Sequence, residues 1–76
     1  MKGEIEMKEF VFEKLGKAYL ENRKDARNCL QHGYDQMAAM ANHQALGIEQ
    51  AVEALGFDVE EFRQYLKENR NRLQSA

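Results

Sequence analysis

Cys29 and His32 stand one helical turn apart, with Asp35 and Gln36 a turn beyond them. On a helix that spacing brings a thiolate, an imidazole and a carboxylate toward one face, a donor set that suits a transition metal. Two features weigh against it. Cys29 falls on an apolar stripe, where a lone cysteine behaves as a small hydrophobe. A structural zinc site also needs four ligands, and the chain has one cysteine and two histidines. His32 and His43 share a helix face but would lie about 16 Å apart along the axis, too far for one ion to bridge within a helix. No metal and no cofactor are expected. Catalysis lacks a scaffold as well: there is no glycine-rich phosphate loop, Ser75 is the only serine, and the carboxylates fall on wet helix faces rather than in a cleft. The reading is of a protein that is not an enzyme.

Binding surfaces are better represented. Arg63, Lys67 and Arg70 recur at i, i+4 and i+7 and form a basic stripe suited to an anionic partner. Arg23, Lys24 and Arg27 form a second basic cluster. Residues 48–65 have the outline of a helix-turn-helix, with Gly56 at the turn and Val52, Phe57 and Phe62 as its apolar supports. That outline makes nucleic-acid binding the competing reading. It is disfavoured because the second helix would open on Asp58, Glu60 and Glu61, where a recognition helix meets the phosphate field.

The most distinctive apolar set is Tyr34, Met37, Ala38, Met40, Ala41 and Ala45. Small residues let helix backbones approach closely, and methionine adapts to imperfect partners. The stretch Met37–Ala41 is apolar or small on every side, the mark of a helix covered from more than one direction. A chain this short has few other elements with which to cover it. The set is therefore expected to serve self-association, giving a homodimer and a small regulatory or adaptor protein that works by protein–protein contact.

The elements that must position these residues read as helices throughout. The chain has no proline, and valine, isoleucine and threonine together number only 5 in 76 residues, so strands are not expected. The spacing predicts an all-α bundle of three to four helices, at about 4–22, 25–45, 48–55 and 59–73, in a single domain with a polar C-terminal tail from about Lys67. Ile5, Phe12, Leu15 and Tyr19 form the first apolar stripe. Asn22 and Asp25 can close and reopen the chain as a helix stop and an N-cap, and this hairpin is the expected arrangement. The alternative is one continuous helix, because the seam Leu15, Tyr19, Asn22, Ala26, Cys29, Gly33 crosses the junction in phase. Gly47 and Gly56 are read as the ends of the second and third helices. Asp58 and Glu61 have the spacing of a capping box, flanked by a Phe57–Phe62 hydrophobic staple.

Composition bounds the setting. A formal net charge of −2 is too balanced to impose a nucleic-acid or membrane field on its own. A lone cysteine fits a reducing compartment. The N-terminal segment carries acids where a signal peptide needs an apolar run, and no stretch approaches a membrane span. The expectation is a cytoplasmic protein without membrane contact. With disulfides and zinc set aside, association is the remaining way for so small a core to gain stability.

Overall fold

The computed structural model describes residues 2–74, with side chains from Glu6 onward, so the Ile5 side chain and Ser75 lie outside the described part. Three helices follow one another: α1 (Lys2–Gln31), α2 (Asp35–Ala54) and α3 (Val59–Gln74). There is no strand among the described residues. None of the helices is long and apolar enough to cross a membrane.

The expected break between Asn22 and Asp25 does not occur. α1 runs through it for 30 residues, about 45 Å at 1.5 Å per residue, and sets the molecule's longest dimension of 48 Å. The in-phase seam was the decisive signal: neither glycine nor proline interrupts it, and Ala26 is buried just past the junction. The chain reverses at Gly33, past the expected junction. Gly33 takes φ of 78°, Tyr34 N–H donates to the Cys29 carbonyl at 2.8 Å, and Gly33 N–H donates to that of Leu30 at 3.1 Å. This pair of bonds is the Schellman closure, which needs a left-handed residue at the glycine.

The same closure ends α2. Gly56 has φ of 88°, Phe57 N–H reaches the Val52 carbonyl at 3.1 Å and Gly56 N–H that of Glu53 at 2.9 Å. Gly47, expected as a helix end, lies inside α2 instead. The segments expected at 25–45 and 48–55 are thus redistributed. The first turns of the one belong to α1, and the rest joins the other as a single helix. A glycine stops a helix only where the next residues can close back onto the last turn, and after Gly47 the apolar residues Ile48 and Val52 continue the buried face.

α3 starts at Asp58, whose carboxylate accepts the Glu60 N–H at 2.7 Å. The capping box is only half realised, because Glu61 pairs with Lys8 on α1 at 2.7 Å rather than turning back to the cap. The staple is completed through a third ring. Phe57 and Phe62 each pack edge-on against Phe12, at centroid distances of 5.7 and 5.3 Å. The helix stays ordered past Lys67, and Leu73 is buried in the core.

α3 lies alongside the first part of α1 and runs in the same direction: Glu61 meets Lys8 near its start, and Gln74 lies beside Leu20 and Lys24 at its end. α2 returns antiparallel to α1. The core sits where all three meet, around Phe12, Leu20, Val52, Phe62, Leu66 and Leu73. Gly16 permits the close approach of α1 and α3. A Cβ there would fall 2.8 Å from a Leu66 methyl and 3.3 Å from one of Leu73. Past Lys24 and Arg27, which still line depressions with Gln74 of α3, the molecule thins to an arm of two helices, the end of α1 and the start of α2. The arm's seam is built from Ala26, Ala38, Ala41 and Ala45, all at most 9% exposed.

Candidate functional site

The six residues expected to serve self-association divide between two roles. Ala38, Ala41 and Ala45 are buried against α1 and hold the arm together. Tyr34, Met37 and Met40 point outward. With Leu30 at the tip of α1, they are 56–64% exposed.

Helical spacing explains the split. On α2 the residues at 38, 41, 45, 49 and 52 form the buried row, and those at 37, 41, 44, 48, 51 and 55 form a neighbouring row at alternating steps of four and three. The second row lies on the flank away from Asn42, which takes a hydrogen bond from Arg23 at 3.1 Å. Across the seam, α1 presents Asn22, Asp25 and Cys29 at the matching spacing. Together Asn22, Asp25, Asn28 and Cys29 from α1 and Met37, Met40, Ala41 and Gln44 from α2 line one shallow groove. Its α1 wall was not assigned from sequence. The signal was present in the uninterrupted seam, which carries Asn22 and Cys29 onto α2's flank only if α1 is continuous.

Cys29 is half-buried in this groove. His32 is occupied otherwise: its Nδ1 lies 2.8 Å from the Asn28 carbonyl, and its ring stacks on Tyr34 with 14° between the planes. Among the described residues no three metal-ligating side chains converge.

The basic stripe also divides. Arg63 is committed inside the molecule, with Nε 2.7 Å from the carboxylate of Glu49 and a second nitrogen 2.6 Å from Glu60. Glu49 is the buried charge of α2 at 8% exposure. The hydrogen bond that Arg63 donates to Glu49, more than the charge of Glu49, raises the Arg63 pKa above the ordinary arginine value. Lys67 and Arg70 remain exposed and face α1, where they share depressions with Tyr19, Leu20, Arg23 and Arg27. Residues 48–65, expected as a helix-turn-helix outline, comprise the last turns of α2, the Gly56 closure and the first turns of α3.

Comparison with family models, curated proteins and solved structures finds no match.

A third cluster is structural. Arg72 ties α3 to α1 through Glu13, and its guanidinium also donates to the Tyr65 hydroxyl at 2.9 Å. The hydrogen bond from Arg72 holds the Glu13 carboxyl below its ordinary value.

Proposed function

We propose that the chain is a small non-enzymatic regulatory or adaptor protein that acts by helix-to-helix contact, and that its first contact is with a second copy of itself through the α1–α2 arm. The observation that carries this reading is the exposure of Leu30, Tyr34, Met37 and Met40 beside an apolar groove on a part of the molecule only two helices thick. Two-helix hairpins bury one face each and need a further layer to bury the other.

Area supports the same conclusion. A folded monomer of 8.9 kDa ordinarily exposes about 4,800 Å², whereas this chain exposes 5748 Å². The surplus of roughly 900 Å² is close to what one partner contributes to a standard interface. A second copy is the simplest occupant. Met37, Met40 and Gln44 follow one another along the groove at steps of three and four, and a twofold axis across them places the same set opposite itself. Two arms joined in this way form a four-helix layer with methionine and alanine at its centre.

Met40→Asp tests the reading. Because Met40 is exposed in the single chain, the variant should keep its helical circular dichroism while losing the dimer's mass in light scattering. A variant that retains the wild-type mass would rule out this face as the contact.

A further inference from the structure

We propose that Arg23, Arg27, Lys67 and Arg70 form a groove for the phosphate backbone of a single-stranded nucleic acid. The site draws on two helices, α1 and α3, between which the whole of α2 intervenes in sequence. Arg70 and Gln74 share one depression with Tyr19, Leu20, Arg23 and Arg27, and Arg70 shares the adjoining one with Tyr19, Leu20, Arg63, Leu66 and Lys67. The two depressions have Tyr19, Leu20 and Arg70 in common, so they form one continuous track between α1 and α3.

Lys8 is neutralised by Glu61, Arg63 by Glu49 and Glu60, and Arg72 by Glu13. Arg27, Lys67 and Arg70 have no carboxylate partner among the described residues, and Arg23 bonds only the neutral Asn42 side chain. Among the described residues Lys14, Lys17 and Lys24 also lack an ion pair with a carboxylate, so what sets these four cations apart is that they lie along one track. In a chain of net charge −2, four cations left without carboxylates along one track make a local positive field that the acidic remainder does not cancel. Three of the four are arginines, whose planar fork matches phosphate oxygens. A protein partner would need an apolar centre, and the leucines that line this track, Leu20 and Leu66, are buried beneath it. The cations fall in one line between α1 and α3 with the half-buried Tyr19 ring among them, an arrangement that follows one strand along its backbone.

The test uses the full chain and a fluorescein-labelled mixed-sequence 20-nucleotide DNA strand, with anisotropy read at several salt concentrations from 20 to 200 mM. Four phosphate contacts predict a log–log salt slope of about −3 for a single strand. Arg70→Gln and, separately, Arg27→Gln should each weaken binding and make the slope shallower by about 0.7. Lys14→Gln, whose ammonium lies over the Phe10 ring away from the track, should leave the slope unchanged. Absence of binding at 20 mM salt would overturn the proposal. So would an equal effect of Lys14→Gln, equal binding of a 20-base-pair duplex, or displacement of the strand by polyglutamate of the same charge at equal concentration.

Discussion

Arg63 reaches back across the α2–α3 boundary to place Nε 2.7 Å from the carboxylate of Glu49, the one residue of α2's buried row that carries a charge. The contact removes the first cation from the stripe that α3 shows in sequence and turns it into a clamp between helices. A buried carboxylate that loses its cation is left uncompensated, whereas removing both partners in favour of apolar groups of similar size is close to neutral. Arg63→Met should therefore lower the melting temperature, and Glu49→Met added to it should restore most of the loss. Additive losses in the double variant would show that the pair is not coupled.

Gly47 separates two accounts of α2. It lies mid-helix with no atom within 4 Å of where a Cβ would stand. Gly47→Ala should stabilise the protein by about 0.5–1 kcal/mol through helix propensity and a less flexible unfolded chain. Gly56→Ala should destabilise by about 1 kcal/mol, because φ there is 88° and an L side chain resists that region. Thermal or urea unfolding of the two variants reads the contrast directly. A loss of stability in Gly47→Ala would restore the helix end there.

Gly16 makes the packing of α3 on α1 testable. Alanine there gains helix propensity of about 1 kcal/mol and needs only a small displacement of the Leu66 and Leu73 side-chain tips, so Gly16→Ala should change stability by less than about 1 kcal/mol. Gly16→Val adds two further methyl groups on a stiff rotamer and should cost about 2–3 kcal/mol. A fully stable valine variant would mean that α3 does not approach α1 so closely.

Glu13 gives the pH dependence a defined sign. The hydrogen bond from Arg72 lowers the Glu13 pKa below its ordinary 4.5, so between the two values the folded chain binds fewer protons than the unfolded chain. Stability rises with pH across that window. The contribution of the pair is fully present above pH 4.5 and fades as pH falls through the folded value. Glu13→Gln should flatten this part of the acid limb in a series of melts between pH 6 and 3, and 0.5 M salt should shrink the difference because the pair is exposed. An acid limb unchanged by the substitution would remove Glu13 as a contributor.

Much of the fold was legible in the sequence because it rests on local chemistry. The all-helical class followed from the missing proline and the scarcity of β-branched residues, and the Gly56 closure and Asp58 cap followed from residue types at fixed offsets. The breaks expected at Asn22–Asp25 and Gly47 were misplaced for one reason. Both used residues that are able to end a helix, whereas the apolar phase on either side required the helix to continue. The true reversal at Gly33 lay inside a segment read as helix, and Tyr34 sits just beyond it as the residue that closes the turn. The candidate site was legible in part. Exposed Met37 and Met40 could be found from local composition, but the α1 wall of the groove and the meeting of Arg23 and Arg27 with Lys67 and Arg70 depend on how long α1 is and where α3 lies. Those are tertiary facts that no short spacing encodes.

The central claim is that the apolar flank of the two-helix arm is covered by a second copy of the chain. Light scattering coupled to size exclusion, across a range from about 1 to 100 μM, measures this most directly. The account predicts a mass twice the 8.9 kDa of the chain at the upper concentrations and its loss on Met40→Asp with helix content intact. A wild-type mass of one chain throughout that range would contradict it.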